Sequence, residues 1–414
     1  MGICQSKEKI LDNNKNVTMT NELQFTRYLY EKDEVKISLI TSILNKNREE
    51  AQFWAYELYY SGFKKELCEL FWSIYYDFYY VINPKFYKYL IKKLKCGLSK
   101  NTEKEKNNVA MIINNFIVRQ FTLDIFFMRI FVKSFDFDKE YMNDYTTSCD
   151  FTFAVKELKI LLEARDYMML ASFILDDVKQ EHLLNTLTVI TLFFTENGLN
   201  IDYKDIMDEY NKILLSDTTH KRLILLANLI HLYGLYLKGK KIIGKNTNVI
   251  VEPEDVVMYE TIEVNLQEKE NDIRMPTLSA YKILPVAALY PIDKYNYLSL
   301  FKLKRDNTDI KTAYYFNWLY HASFSPLWKE RIQKYNGFID EEKKTVLFKN
   351  ESLEEEFYNY FNYEPDEQKS EVQDKNIQPI ETTRTWVSFY KEYNKNSIIA
   401  LDEEFLLELN KIEY

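Results

Sequence analysis

The residues with the most readable chemistry stand at the start of the chain, Met1-Gly2-Ile3-Cys4-Gln5-Ser6-Lys7. Removal of Met1 exposes the α-amine of Gly2 with no side chain in the way, and Ser6 completes the spacing read by N-myristoylation. Cys4 puts a thiol two residues from that amine, where palmitoylation would form a thioester. One myristoyl chain holds a protein on a bilayer only marginally, so stable attachment needs a second signal. Lys7, Lys9 and Lys15 are partly offset by Glu8 and Asp12. Cys4 is therefore the nearer second signal, because each basic residue at an anionic surface adds only about 1 kcal/mol.

A second group is a lysine row. Lys85, Lys88, Lys92 and Lys95 recur at three- and four-residue spacing, Lys93 and Lys100 extend the charge, and Phe86, Leu90 and Leu94 form a separate apolar face. On a helix this is one basic stripe, suited to anionic lipid headgroups or to a nucleic-acid backbone. The plainer reading is a solvated outer face, since lysine is abundant throughout.

Other constellations fall short of a site. Gly234-Leu-Tyr-Leu-Lys-Gly239-Lys240-Lys241 mimics a phosphate loop but lacks the Ser/Thr that binds magnesium and follows a helical pattern instead of a strand. His182, His220, His231 and His321 have no metal-ligand spacing, and no Ser, Cys or Lys nucleophile stands in a recognisable local context. Cys4, Cys68, Cys96 and Cys149 form no Cys-x-x-Cys pair and read as reduced thiols. No catalytic set, metal, cofactor or small-molecule substrate is implied.

The elements that must position these groups are mainly helical. Apolar positions from Val35 to Leu44 trace one helix face, Asn47 caps a helix over 48–60, and Ser61-Gly62 ends it. Helices follow over 64–80 and 84–95, then near 105–133, 153–176, 179–197, 203–215 and 219–238. Short connections make them antiparallel neighbours in an irregular array of helical hairpins. Residues 246–292 hold β-branched runs and prolines, followed by helices near 309–322 and 326–335, a short strand at 345–348, a helix over 353–363 capped by Ser352 with Glu355, and a terminal helix near 402–411. The expected fold class is mainly α, with a less regular, mixed C-terminal part. The expected organisation is a flexible tether over 1–20, a helical domain over 21–245, a mixed acidic region over 246–364, a linker over 365–380 and a terminal segment over 381–414.

Composition agrees with a folded helical chain. Hydrophobic residues make up 46% and aromatics 16% of 414, with 33 Tyr and 27 Phe. Eight glycines, about 2% against an average near 7%, leave little material for the turns of sheet proteins or for phosphate loops. The net charge of −9 divides unevenly, with residues 1–250 near +2 and residues 251–414 near −11. The basic-leaning part suits a phosphate-rich partner or membrane, while a pI near 5.3 argues against a dedicated nucleic-acid binder. The aromatic series from Phe53 to Tyr80 reads as core packing at helical spacing, not as a stacking platform for bases. No stretch approaches the roughly 18 apolar residues of a membrane span.

Two resemblances can be placed on particular residues. The segment Glu49-Glu50-Ala51-Gln52-Phe53-Trp54-Ala55-Tyr56-Glu57-Leu58-Tyr59-Tyr60-Ser61-Gly62-Phe63, with Ser325-Pro326-Leu327-Trp328-Lys329-Glu330-Arg331-Ile332 and Tyr363-Glu364-Pro365-Asp366-Glu367-Gln368, resembles uncharacterised proteins encoded by large nucleocytoplasmic DNA viruses. That resemblance implies a viral protein with viral protein partners and brings no activity or site residues. Lys36 to Gly62 is also similar to the helical collar of clamp-loader ATPase relatives, over fewer than thirty residues and without the ATPase core. Together these features lead to the expectation of an acyl-anchored, non-enzymatic helical scaffold or virion assembly protein, peripheral on a cytosolic membrane face of the host. The alternative is a replication or DNA-packaging accessory that binds nucleic acid through the lysine helix.

Overall fold

Two helices built on the first apolar stripe begin the fold. In the computed structural model, α1 (Lys32–Leu44) and α2 (Arg48–Tyr60) pack as an antiparallel hairpin. The described residues are 23–94, 97, 98, 100, 102–135, 151–212, 218–238, 249–260, 289–295, 297–301, 310–361, 365–367, 370, 377 and 384–411. Gly2, Cys4 and Lys95, and the pseudo-phosphate loop from Gly239 on, lie outside them.

Local chemistry sets the hairpin. At the end of α1 the Asn47 N–H reaches the Ser42 carbonyl at 2.9 Å and the Lys46 N–H reaches Ile43 at 3.0 Å, a Schellman turn that puts Lys46 at φ +59°. The Asn47 side chain then accepts from the Glu50 N–H and caps α2, as its position implies. Gly62 ends α2 at φ +93°, and its bare Cα lets Pro326 approach so closely that a Cβ there would sit 2.6 Å from the proline Cβ.

α3 (Lys64–Ile74) runs into a π-helical turn, Tyr75–Tyr79, closed by the Tyr80 N–H to the Tyr75 carbonyl at 2.8 Å. The wider turn spreads its side chains over several neighbours. Asp77 pairs with Arg129, at 3.0 Å to Nε and 2.5 Å to Nη2, while Tyr76 and Tyr80 reach Glu209. A 3-10 turn beginning at Pro84 leads into α4 (Tyr87–Leu94), followed by α5 (Glu103–Val118) and α6 (Asp124–Ser134).

The second group comprises α7 (Phe151–Ala164), α8 (Tyr167–Ser172) with a second π turn at Phe173–Asp177, α9 (Leu183–Glu196), α10 (Tyr203–Lys212) and α11 (Thr218–Lys238). Both π turns pack on α11, the longest described helix. The C-terminal part adds α12 (Glu254–Val257), α13 (Leu298–Phe301), α14 (Ile310–Tyr315), α15 (Trp318–Ala322) and α16 (Pro326–Lys334), then α17 (Glu351–Phe361), α18 (Trp386–Tyr393) and α19 (Glu403–Leu409). One antiparallel hairpin, β1 (Gly337–Asp340) with β2 (Thr345–Phe348), pairs Phe338 with Leu347 and Ile339 with Val346. With nineteen α-helices and that single sheet among the described residues, the fold is mainly α.

The core is contiguous and rich in aromatic rings. One cluster of buried side chains takes in residues from Phe25 to Leu409, and Trp54, Tyr56, Tyr75, Tyr76, Tyr79 and Trp328 are all at most 1% exposed. The dense aromatic series of α2 and α3 is therefore core. The C-terminal segment joins it through Trp386 and Tyr390 against Phe127, and through the Asp124 carboxylate, which accepts the Ile398 and Ile399 N–H groups.

Several boundaries differ from the periodicity. The span 105–133 breaks at Arg119–Leu123, where Thr122 N–H turns to the Phe78 carbonyl at 2.8 Å, and 153–176 breaks at Arg165, φ +57°. The span 309–322 divides into α14 and α15, α17 begins at Glu351 with Asn350 as its cap in place of Ser352, and Trp386 starts a helix of its own.

Candidate functional site

The lysine row begins as its spacing implies and then divides. Lys85, Lys88 and Lys92 are exposed on the outer side of the Pro84–Leu94 segment, with Phe86, Leu90 and Leu94 buried on the inner side. Lys88 is engaged, however, in an ion pair with Asp205 of α10 at 2.8 Å. Lys93 folds back along the protein, its amine 2.9 Å from Met111 Sδ and 5.5 Å from the Tyr89 ring, and burial lowers its pKa. Lys100 uses its backbone N–H on Glu105 at 2.8 Å and leaves its side chain exposed.

What the row lacks in length is replaced by neighbours. Lys64 and Lys65 begin α3, and Lys64 lies 4.5 Å over the Tyr59 ring and faces Glu105. Exposed Lys104 lies within electrostatic reach of Lys93. The first turns of α3 and α5 and the last turn of α4 thus share one end of the bundle. The first described residues lie at that same end: the Lys32 ammonium donates to Gln24 Oε1 at 2.7 Å and lies 5.2 Å over the ring of Phe63, the residue before Lys64. Acidic residues are interleaved, with Lys36 on Asp33, Lys65 on Glu69, and Lys106 on Glu103 and Glu260.

The stretch that positions the point of arrival is held deeply. Arg27 Nε donates to Glu57 Oε2 at 2.7 Å, its Nη1 donates to the Tyr259 carbonyl at 2.9 Å, and Glu57 Oε1 accepts the Tyr28 N–H at 3.0 Å. Trp328 Nε1 donates to the Thr26 carbonyl at 3.2 Å. Phe25 N–H reaches the His321 carbonyl, and His321 Nδ1 lies 3.1 Å from the Leu23 carbonyl.

A second locus was invisible in the sequence. The C-terminal ends of α1, α5 and α18 converge on a cleft of about 500 Å³, lined in part by Lys46, Gln120, Phe121, Glu392, Tyr393 and Asn396. Three helix C-termini, each with its partial negative charge, border this space. Lys46 answers them. Lys46 is an exposed residue whose amine donates to the Arg119 carbonyl at 2.6 Å and the Phe116 carbonyl at 3.2 Å, 3.4 Å from the Tyr79 hydroxyl and 4.8 Å from the Phe121 ring. Enclosure of the amine pushes its pKa down to about 7. No local motif marks it. Its one signature is a lysine in the left-handed position where glycine is usual, and Leu29, Leu98, Arg165, Asn336 and Lys344 do the same in this glycine-poor chain.

A third group is fully buried. Tyr76 donates to Glu209 Oε1 at 3.2 Å, and the Tyr80 hydroxyl stands 3.0 Å from Glu209 Oε2 and 2.7 Å from Asn228 Oδ1. Asn228 Nδ2 is spent on the Ile224 carbonyl, so its oxygen must face Tyr80. With the single Tyr80 proton given to Asn228, Glu209 itself must donate to Tyr80, which requires a protonated carboxyl. Burial pushes Glu209 to about 8, the same outcome.

The remaining candidates are structural. His231 is half-buried with Nδ1 2.7 Å from the Val81 carbonyl, and burial raises the half-buried Cys68 thiol to about 12. Among the described residues no group of three or more His, Cys, Asp or Glu is placed to hold a metal ion, and no helix is long and apolar enough to cross a membrane. No protein family, curated protein or solved structure matches the chain.

Proposed function

We propose that the chain is a helical scaffold tethered to a cytosolic membrane face by acyl groups on Gly2 and Cys4, with the end bearing Lys64, Lys65, Lys92, Lys100 and Lys104 turned toward the headgroups. One observation supports the reading: Gln24, among the first described residues, contacts Lys32, which lies over Phe63 beside Lys64. A tether leaving from there brings the basic end to the bilayer first. The acyl groups and several lysines worth about 1 kcal/mol each then act on one surface, a combination of signals of the kind that stable peripheral attachment needs.

The function served is organisation of other proteins at that membrane, in the setting of viral assembly or a virion component. The nucleic-acid alternative draws on the same lysines, but Lys88 and Lys93 are engaged within the fold, which shortens the row available to phosphates. Cells expressing the chain and fed an alkyne analogue of myristate test the tether. Label on the wild type, lost together with membrane fractionation in Gly2→Ala, supports it. An unlabelled wild type, or undiminished fractionation of Gly2→Ala, removes it.

A further inference from the structure

The helix α10 meets the lysine row at its middle. We infer that α10 is a strap, latched to the core by the carboxyl of Glu209, that masks Lys88 of α4 and on release extends the basic surface offered to anionic lipid headgroups, a use that rests on the membrane orientation proposed above.

Contact between strap and row is direct. Asp205 takes the Lys88 ammonium at 2.8 Å, and the Tyr87 hydroxyl stands 3.5 Å from the Asp205 carbonyl. Asp202 and Asp208 lie within electrostatic reach of Tyr87 as well. Lys85 and Lys92 stay exposed on either side. Lys88 stands one turn, about 6 Å along the axis, behind Lys92. Freeing it joins Lys85, Lys88 and Lys92 into one stripe that runs on from the basic end.

The strap is anchored to the core chiefly through one polar group. Among the described side chains of α10, Glu209 and Tyr210 are buried, while Ile206 and Met207 are half-buried. Glu209 Oε1 accepts from Tyr76, and its Oε2 must donate to Tyr80, whose own proton goes to Asn228 Oδ1. Without the carboxyl proton, Glu209 and Asn228 compete for the single Tyr80 hydrogen, and a charge is left where Tyr76, Tyr80 and Asn228 are all at most 1% exposed.

No neighbour offsets that charge well. Facing it are Tyr75, Tyr76 and Tyr80 at the π turn, Tyr87 and Lys88 of α4, Asp205 of α10 itself, and Asn228 of α11, with His231 of α11 edge-on to the Tyr80 ring. Burial pushes the tyrosines up and His231 down, which keeps them neutral, and Lys88 is already engaged by Asp205. A deprotonated Glu209 reaches water only if α10 lifts, and a helix with so few buried side chains is the kind of unit that opens locally.

Two measurements on the full-length chain test the strap. The first is hydrogen exchange without vesicles at pH 7 and pH 9.5, corrected for intrinsic rates. Amides of α10 are expected to lose protection at least about tenfold at the higher pH while those of α11 keep theirs, and Glu209→Gln, whose amide can donate to Tyr80, is expected to hold α10 protected at both. Unchanged protection of α10 in the wild type, or loss in α10 and α11 together, overturns the latch. The second is flotation of acylated chain at pH 7.5 with vesicles of phosphatidylcholine alone or with added phosphatidylserine. Asp205→Ala, which frees Lys88, is expected to bind the anionic vesicles about fivefold more tightly than wild type, the effect of one added basic residue. Glu404→Ala, the same change of charge at an exposed position of α19, should stay within about twofold of wild type. Equal binding of Asp205→Ala and wild type, or an equal gain in Glu404→Ala, overturns the masking. Wild type that floats equally with both kinds of vesicle sinks the orientation on which the masking rests, while the exchange result decides the latch by itself.

Discussion

Arg27 and Glu57 form an ion pair at 2.7 Å with neither side chain more than 1% exposed. That pair ties the first described stretch to the last turn of α2. The Arg27 guanidinium is also covered by the rings of Tyr28 and Tyr60, at 4.4 and 4.9 Å. Removing one partner strands the other charge without solvent. Arg27→Met or Glu57→Leu alone is expected to destabilise by about 3 to 5 kcal/mol, and the double variant by much less than the sum. Urea unfolding of the three variants checks it.

Glu209 makes stability depend on pH in a stated direction. Its folded pKa, about 8, lies above its ordinary value of 4.5, so the native state keeps a proton that the unfolded chain releases. The stabilisation is complete below about pH 4.5 and is lost as pH rises through 8, with a slope of up to about 1.4 kcal/mol per pH unit. Asp205 and Lys88 face the same region and act in opposite senses. Glu209→Gln, whose amide can donate to Tyr80 and accept from Tyr76, is expected to flatten that slope, leaving stability little changed at pH 5 and higher than wild type at pH 8.5. Thermal melts of both chains across this range decide it.

Position 46 separates backbone strain from side-chain capping. Lys46→Gly relieves the left-handed conformation but loses the amine at the end of α5, and Lys46→Ala loses the amine while keeping the strain. The glycine variant should therefore be more stable than the alanine variant by about 1 kcal/mol, read from denaturant midpoints.

Gly62 carries the contact between the α2–α3 turn and α16. Alanine there meets both a positive φ and Pro326, and the neighbouring bond from Leu327 N–H to the Ser61 carbonyl at 3.2 Å would have to shift. Gly62→Ala is expected to destabilise by about 1 to 3 kcal/mol, whereas Gly198→Ala, where φ is also positive but nothing lies within 4 Å, should fall at the low end of that range. Paired melts of the two variants read the difference.

Local signals were legible in the sequence wherever one residue decides an outcome. Asn47 and Gly62 bound α2 as expected, Pro84 opens the segment before α4, and Thr345–Phe348 is a strand. Its partner escaped because Gly337–Asp340 is four residues beginning with glycine and ending in aspartate, and only pairing makes it a strand. The break at Arg165 escaped because an arginine holds the left-handed position where glycine would have marked the turn, and that at Arg119–Leu123 because it rests on a tertiary bond, Thr122 N–H to the Phe78 carbonyl. The Lys46 cleft was illegible for a different reason: α1, α5 and α18 come from three distant parts of the chain. The lysine row was visible, but not the tertiary contacts that spend Lys88 on Asp205 and add Lys64 and Lys65 to what remains.

The placement of the basic end against the bilayer is tested by vesicle flotation. Acylated chain and a variant carrying Lys64→Glu, Lys65→Glu, Lys92→Glu and Lys100→Glu are floated with vesicles of phosphatidylcholine alone or with 30% phosphatidylserine (a proportion of roughly the anionic content that gives a cytosolic leaflet its negative surface potential). Binding to the anionic vesicles should fall at least about tenfold in the variant, with equal, weak binding of both chains to the neutral ones. Equal binding of the two chains to anionic vesicles, with the variant folded by its melt, would contradict the proposed orientation.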